Sequence, residues 1–209
     1  MLKLNKITKK FGDKVVIDAL TLTLPDNCNV ALCGPSGAGK STLLSIIAGI
    51  ETFDSGIVEP AISSLTVSMS FQDPCLIPGL TAAENVNIVM GDKPETLPAA
   101  RALLEELGIT DTEKYPDRLS GGMKVRVGIA RALAVKSRIY LFDEPFAALD
   151  EENRYRTAEV IQRHTTGALT VMVIHDKDFA RRIADTLIVF KDTILNGNFI
   201  VEGVSANRL

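Results

Sequence analysis

Three short apolar runs stand out along the chain, and each of them predicts a buried β-strand. The runs are "NVALC" (29–33), "RIYLF" (138–142) and "LTVMVI" (169–174). Their β-branched and aromatic residues, bounded by polar residues or glycine, are typical of a parallel sheet that is covered on both faces. Each run leads into chemically active residues: a glycine-rich loop, then Asp143-Glu144, then His175. Because open α/β sheets bind ligands at the carboxyl ends of their strands, we expect these three ends to form one site.

Longer stretches between these runs have the apolar spacing of helices. They are "GKSTLLSIIAGI" (39–50), "AARALLEELG" (99–108), "MKVRVGIARALAV" (123–135) and "EENRYRTAEVIQRH" (151–164), the last charged enough to be an exposed helix. Residues 3–24 instead alternate in places between apolar and polar positions, which is typical of half-buried antiparallel strands. The predicted fold is an α/β core with a parallel sheet, an antiparallel β flap from the N-terminus and a helical insert around residues 80–120. We expect a single domain spanning residues 1–209.

Composition narrows the class of protein without changing this fold. Of the 209 residues, 46% are hydrophobic and 23% are charged, as in an ordinary globular domain. The net charge of −3 gives no reason to expect nucleic acid as a general partner. The three cysteines have no paired spacing, so we expect reduced thiols. The sequence has no apolar run that would span a bilayer and no signal-peptide core at its start, so we expect a cytoplasmic protein that reaches a membrane only through a partner.

The segment "GPSGAGKST" (34–42) has the residues of a phosphate-binding loop. It fits the pattern G-x-x-x-x-G-K-[ST] and lies between a predicted strand and a predicted helix, as the mechanism requires. Its glycines let successive backbone N–H groups face phosphate oxygens, and the helix that follows presents its positive end to them. We expect Lys40 to reach the β- and γ-phosphates, Ser41 to ligate Mg²⁺ and Thr42 to contact an inner phosphate. The alternative is a glycine turn before a helix that carries a lysine by chance.

Two carboxylates follow the second apolar run, and a histidine follows the third. An unpaired Asp-Glu pair is costly in a plain core but useful beside Mg²⁺ and an attacking water. We expect Asp143 to hold the metal and Glu144 to act as general base on that water. His175 then becomes a candidate γ-phosphate ligand or water orienter. The alternatives are a solvated acidic turn and a histidine that only packs at the rim of the core.

A second anion-binding feature occurs far downstream of the phosphate loop. The triplet Ser120-Gly121-Gly122 stands directly before a predicted helix in "RLSGGMKVRVGIARAL" (118–133). Serine and glycine at a helix N-terminus leave backbone N–H groups open to an anion. One nucleotide needs only one phosphate loop, so we expect this triplet to have a function other than binding the same nucleotide.

Together these residues resemble those of the nucleotide-binding subunit of ATP-binding cassette (ABC) transporters. The resemblance covers essentially the whole chain. "GPSGAGKST" resembles the Walker A motif, "FQDP" (71–74) the Q-loop, "LSGGM" (119–123) the signature, "IYLFDEP" (139–145) the Walker B motif, "AALD" (147–150) the D-loop and "VIHD" (173–176) the switch-histidine loop. The order and spacing of the motifs agree with the family. The resemblance implies a P-loop NTPase core with a parallel sheet, an N-terminal antiparallel β flap and a helical subdomain that carries the signature.

The resemblance also implies a head-to-tail dimer that holds two ATP molecules between its subunits. The residues that would contact ATP within one chain are Phe11, Gly34, Pro35, Ser36, Gly37, Ala38, Gly39, Lys40, Ser41 and Thr42. Those that would serve the ATP of the opposite chain are Ser120, Gly121, Gly122 and Asp150. The implied Mg²⁺ ligands are Ser41, Gln72 and Asp143, and the implied catalytic residues are Glu144, His175, Gln72 and Lys40. Phe11 would stack on adenine, with a core phenylalanine as the alternative.

A few positions depart from the commonest residues of the family. Met123 replaces glutamine in the signature, Ala147 replaces serine or glycine in the D-loop, and Phe11 replaces tyrosine. Lys124-Val125 replaces a more polar pair. None of these positions supplies direct phosphate, metal or base chemistry. The departures therefore bear on the rate of turnover, and we still expect hydrolysis.

Within the family, the chain looks most like importer ATPases of the nitrate, sulfonate and taurine type. That likeness implies a homodimer, or a pair with a paralogous cassette, on the inner face of the cell membrane. Integral membrane permease subunits would be its direct partners, a substrate-binding protein would act through the permease, and no nucleic acid would be bound. Leu76, Ile77 and Leu80 either line a groove for the permease or only pack the helical insert.

Two other functions stay open at this point. A soluble ABC-type ATPase would drive assembly, for example cluster assembly, without a membrane partner. A binding-only cassette would have lost catalysis, and the intact Lys40, Asp143, Glu144 and His175 argue against that reading.

Overall fold

A computed structural model describes residues 1–204, which form two β-sheets and the helices that cover them. The strands are β1 (Leu2–Phe11), β2 (Lys14–Leu24), β3 (Asn29–Cys33), β4 (Ser55–Glu59), β5 (Val67–Ser70), β6 (Ile139–Asp143), β7 (Leu169–Val173), β8 (Thr186–Phe190) and β9 (Phe199–Gly203). The α-helices are α1 (Lys40–Ile47), α2 (Ala82–Asn87), α3 (Leu97–Glu106), α4 (Gly121–Leu133), α5 (Glu151–His164) and α6 (Lys177–Ile183).

The larger sheet has the strand order β5-β6-β7-β3-β8-β9, parallel throughout except for the antiparallel edge strand β9. The three apolar runs of the sequence form β3, β6 and β7, which are neighbours, and every residue of β6 and β7 is buried. Val173 pairs with Leu32 on one side and with Asp143 on the other, so the carboxyl ends of these strands are level. The prediction that the three ends meet at one edge is therefore confirmed.

The N-terminal flap is a three-stranded antiparallel sheet with the order β2-β1-β4, as predicted. Its inward side chains, such as Leu4 and Ile17, belong to the same apolar cluster as Leu44 of α1 and Val171 of β7. The flap and the larger sheet thus enclose α1 between them. This packing brings β1 and β2 alongside the loop that precedes α1.

The opposite face of the larger sheet is covered by the helices α2 to α6. A second apolar cluster joins Val86 of α2, Leu104 of α3 and Val127 of α4 to Phe142 and Met172 of the sheet. Helix α4, which begins within the signature motif, therefore packs between the helical region and the sheet. The predicted fold class is confirmed, and the single-domain assignment stays a prediction.

Two helices differ from the predicted ones, α4 in where it begins and α5 in its exposure. Helix α4 begins at Gly121, ahead of the predicted start at residue 123, because Ser120 caps it by accepting a hydrogen bond from the Met123 amide at 3.2 Å. Helix α5 is exposed on one face only, because Ala158 and Ile161 on its other face are buried. Its charges therefore mark an amphipathic helix and not a fully exposed one.

Candidate active site

The phosphate loop connects β3 to α1 and lies directly against the flap. Gly39 has φ of +98°, in the left-handed region, and a Cβ built on it would lie 2.6 Å from the Cγ1 atom of Val16. Only glycine satisfies both the backbone angle and this close approach. The loop is thereby held tightly curved, with its backbone pressed against β2.

Lys40 is the first residue of α1, at the end of this loop, and is only 5% exposed. Its Nζ atom donates hydrogen bonds to the carbonyl oxygens of Gly34 at 3.0 Å and Pro35 at 2.7 Å. Burial lowers the pKa of the Lys40 ammonium, and the nearby Glu144 carboxylate opposes that shift. The ammonium is held by neutral carbonyls, so its charge is left available for an anion.

Ser41 and Asp143 come from different elements and meet at the edge of the sheet. The Ser41 hydroxyl donates to the Oδ1 atom of Asp143 at 3.0 Å. Asp143, at the end of β6, is 7% exposed, and burial raises the pKa of its carboxyl while the Ser41 hydrogen bond opposes that change. A buried carboxylate with few compensating partners is a favourable place for a cation.

Glu144 is the point at which the remaining predicted catalytic residues converge. Its Oε2 atom accepts a hydrogen bond from Nε2 of Gln72 at 3.1 Å, and Nε2 of His175 lies 2.6 Å from its Oε1 atom. Glu144 itself has φ of +52°, a left-handed conformation that is uncommon for a residue with a side chain. Backbone strain of this kind clusters at functional sites, where the surrounding structure holds it in place.

A cavity of about 450 Å³ runs from the flap to this cluster. The predicted site residues that line it are Phe11, Ser36, Gly37, Gly39, Lys40, Ser41, Thr42, Gln72, Glu144 and His175. Phe11 is 48% exposed, which excludes the alternative that it is a core phenylalanine. The volume and the polar end of the cavity suit a small ligand that carries phosphates.

Sequence reasoning missed two residues that line this cavity, Lys14 and Val16 of β2. They belong to no motif. Lys14 pairs with Phe11 across the β1–β2 turn, and Val16 lies against Gly39 of the phosphate loop. The remaining predicted residues of the loop lie behind the cavity wall. Gly34 and Pro35 face Lys40, and Ala38 is buried in the core.

The residues predicted to serve a second nucleotide do not line this cavity. Ser120 and Gly122 lie at the start of α4, where a Cβ built on Gly122 would be 2.8 Å from the carbonyl oxygen of Ala148. The second glycine of the signature therefore packs directly on the D-loop backbone. Within the described chain, the signature and the D-loop form one continuous surface away from the cavity.

Asp150 caps α5 and completes the connection between these two segments. It accepts hydrogen bonds from the backbone and side-chain amides of Asn153, and these bonds lower the pKa of the Asp150 carboxyl. Nη1 of Arg126 on α4 donates to Oδ1 of Asn153 at 2.8 Å. Sequence reasoning missed both Arg126 and Asn153, because their contact forms only where α4 packs against α5.

The sequence model described as ABC transporter matches residues 17–147 of the chain, from β2 through the Walker B motif and into the start of the D-loop. The chain belongs to the ABC transporter family. The chain is therefore an ATP-binding cassette, and the matched residues include the phosphate loop and the Asp143-Glu144 pair.

Curated relatives of this cassette include ATP-binding proteins named for import and transport. The aliphatic sulfonates import ATP-binding protein SsuB 2 of Rhodococcus jostii is 41% identical over 196 residues, covering 90% of this chain and 77% of that protein. The glutamine transport ATP-binding protein GlnQ of Escherichia coli is 36% identical over 207 residues, covering 90% of this chain and 86% of that protein.

Among solved structures, the cassette is similar to the dimeric post-hydrolysis state of the ATP-binding cassette MJ0796 bound to ADP and Pi. The TM-score is 0.84 at 28% identity, and the alignment covers 98% of this chain and 99% of the other. Family membership and this likeness identify the chain as an ATP-binding ABC ATPase.

Proposed function

We propose that this cassette is the ATPase subunit of a bacterial importer and that it works as a dimer around two molecules of Mg-ATP. The observation that carries the proposal is the convergence of Lys40, Ser41, Asp143 and Glu144 beside one cavity. The names of the relatives, which are import and transport ATP-binding proteins, support the importer assignment. The sulfonate transporter relative supports the nitrate, sulfonate and taurine subtype.

ATP would enter the cavity with adenine toward the flap and its phosphates in the loop. Phe11 would stack on the base, and Lys40 would exchange its contacts to loop carbonyls for phosphate oxygens. The backbone of residues 34–39 would supply N–H donors, and Thr42 would contact an inner phosphate. The positive N-terminal end of α1 points at the same place and favours the anion.

The polar side chains at the phosphate end fit Mg²⁺. The Ser41 hydroxyl already lies 3.0 Å from the Asp143 carboxylate, and Gln72 has a free amide oxygen because its Nε2 atom bonds to Glu144. Hydroxyl, carboxylate and amide oxygens are the ligands that Mg²⁺ prefers. When bound, the ion would neutralise charge on the β- and γ-phosphates.

Hydrolysis would use the cluster around Glu144. Its carboxylate would take a proton from the attacking water as general base. His175 and Gln72 bond to its two oxygens and would hold the carboxylate in position, and both lie close enough to the cavity to contact the water or the terminal phosphate.

A second copy of the cassette, or a paralogue, would complete each site. Ser120, Gly121 and Gly122 would present the N-terminal end of α4 to the γ-phosphate of the opposite chain. Asp150 would organise the interface between the two sites. Because the N-terminal end of a helix carries the positive end of its dipole, closing the dimer would depend on the charge of the γ-phosphate.

Membrane permease subunits would be the partners of this cassette, as the import and transport names of its relatives suggest. No helix within residues 1–204 has the length and apolar character needed to cross a bilayer. Leu76 packs against the helical cluster, as expected for a residue that only packs the helical insert. Ile77 is instead 40% exposed. Ile77 would line the groove for the permease. We place the assembly on the inner face of the cell membrane, with a substrate-binding protein acting through the permease and no nucleic acid bound.

No observation favours the alternative of a soluble assembly ATPase. A pull-down separates the two. Tagged Glu144→Gln cassette, incubated with ATP and Mg²⁺ in detergent-solubilised membranes of the native host, should recover a multi-span membrane protein identified by mass spectrometry. The matched control is Lys40→Ala in the same membranes, which should recover less of it. Recovery of soluble partners alone would overturn the importer proposal.

A further inference from the structure

Lys9 of β1 is a buried lysine that none of the motifs accounts for. It is 7% exposed, and its Nζ atom lies 2.8 Å from Oε1 of Glu51 in the segment after α1. Burying a lysine is unfavourable unless the ammonium has a partner, and here it has two. The second partner is the ring of Phe11, whose centroid lies 4.7 Å from Nζ.

The contact between Lys9 and Phe11 has the geometry of a cation–π interaction. The two residues are two positions apart on the same strand, so their side chains project from the same face. Phe11 is nevertheless 48% exposed and lines the nucleotide cavity. The ring therefore has one side against a fixed cation while part of its surface is open to the cavity.

The cation is itself tied to the far end of the phosphate-loop helix. Glu51 also accepts a hydrogen bond from the Thr52 amide at 3.0 Å, and Asp54 bonds to the β1 backbone on both sides of Lys9. The segment 51–54 is thus hydrogen-bonded to the end of β1 next to Phe11. Because α1 begins at Lys40 in the loop, these contacts fix the distance between the ring and the phosphate end of the cavity.

We propose that Lys9 is a positioning residue for the adenine of ATP: held by Glu51, its ammonium fixes the Phe11 ring on which the base stacks. Lys9 does not touch the nucleotide. This inference rests on the proposed role of Phe11 in ATP binding. A purely structural role would be to attach β1 to the segment 51–54, and it would affect every ligand of the cavity equally.

The test compares a ligand that has a base with one that does not. Dissociation constants of ATP and of inorganic triphosphate are measured by calorimetry for wild type, Lys9→Met, Phe11→Ala and the double variant. Lys9→Met should weaken ATP binding by about three- to tenfold and leave triphosphate binding unchanged. Phe11→Ala should weaken ATP binding by about tenfold or more, and adding Lys9→Met to it should cause no further loss.

Two controls separate the contact from charge and from folding. Lys10→Met removes the same charge from the exposed neighbouring lysine and should leave both constants unchanged. Lys9→Arg keeps a cation over the ring and should retain ATP affinity, even if the variant is less stable. Because the readout is the ratio of two affinities of one sample, a partly unfolded variant does not imitate the effect.

Each failure has its own meaning. Equal loss of ATP and triphosphate affinity in Lys9→Met would overturn the inference in favour of a structural role. Loss of ATP affinity in Phe11→Ala with none in Lys9→Met would also overturn it and leave the adenine contact intact. Unchanged ATP affinity in Phe11→Ala would overturn both assignments, whereas absence of ATP binding by the wild-type chain would overturn the proposed function itself.

Discussion

The Nε2 atom of His175 lies 2.6 Å from the Oε1 atom of Glu144, which joins the ends of β7 and β6 through their side chains. Gln72 holds the other oxygen of the same carboxylate at 3.1 Å. A carboxylate with both oxygens engaged has a fixed orientation, and its strained backbone shows that the surrounding fold holds it there. From this arrangement we predict that hydrolysis depends on Glu144.

Glu144→Gln tests that dependence. The amide keeps the shape of the side chain but cannot take a proton, so turnover should fall by roughly two to four orders of magnitude while ATP binding is retained. The variant should also accumulate as an ATP-bound dimer, measured by sedimentation with saturating ATP and Mg²⁺. Glu152→Gln, at an exposed carboxylate of α5, is the matched control and should hydrolyse ATP normally. A Glu144→Gln cassette that turns over like wild type would exclude the general-base assignment.

Lys40→Ala tests the phosphate end of the cavity. Removing the ammonium leaves the carbonyls of Gly34 and Pro35 facing the site without a cation, so nucleotide binding or hydrolysis should be abolished. Fluorescent nucleotide binding and phosphate release measure the two steps separately. Lys136→Ala, at an exposed lysine, should change neither. Wild-type turnover in Lys40→Ala would mean that ATP is hydrolysed elsewhere.

The two signature glycines should respond oppositely to alanine. A Cβ at Gly122 would lie 2.8 Å from the Ala148 carbonyl, whereas a Cβ at Gly121 would meet nothing within 4 Å. Gly122→Ala should therefore lower the free energy of unfolding by about 1–3 kcal/mol. Gly121→Ala should leave it unchanged or raise it by up to about 1 kcal/mol, because alanine favours the helix. Urea denaturation measures both, and equal stabilities would show that the signature does not pack on the D-loop.

The buried thiol of Cys33 predicts a loss of stability in alkaline solution. Burial raises the pKa of Cys33 from 9.0 to about 11, so the folded protein retains a proton that the unfolded chain releases. The free energy of unfolding should therefore fall as pH rises from about 9 toward 11, by on the order of 2–3 kcal/mol. Denaturation of wild type and Cys33→Ala from pH 8 to 10.5 isolates this contribution, because other groups titrate in both. Parallel pH curves for the two proteins would contradict it.

The strands that build the site could be predicted from the sequence, but the strands β4 and β9 at the edges of the two sheets could not. The apolar runs predicted β3, β6 and β7 because those strands are buried on both faces. Strand β8, "TLIVF", carries the same signal and was predictable, as was α2 from the capping box of Thr81 and Glu84. Strands β4 and β9 are mostly exposed, so no apolar pattern marks them.

Within the site, motifs predicted the residues of the phosphate loop and the acid cluster because each chemistry needs adjacent residues in a fixed order. Contacts between residues that are distant in the sequence produce no motif and could not be predicted. Lys9 meets Glu51, and Val16 meets Gly39, only because the flap folds over α1. The roles of Ser120, Gly121, Gly122 and Asp150 at an opposite chain stay predictions, since they concern a second molecule.

A mixed-dimer assay tests most directly the claim that each ATP lies between two chains. Lys40→Ala disables the phosphate loop, and Ser120→Asp keeps the α4 cap while placing a negative charge against the phosphate. Ser120→Asn, which keeps the cap without the charge, controls for the change of side chain. Each disabled variant should be inactive by itself. In their mixture, a heterodimer combines both defects in one site and leaves the other site intact, so ATP hydrolysis should reappear. A mixture as inactive as its components would place the signature in the same site as the phosphate loop of its own chain and would contradict the shared-site dimer.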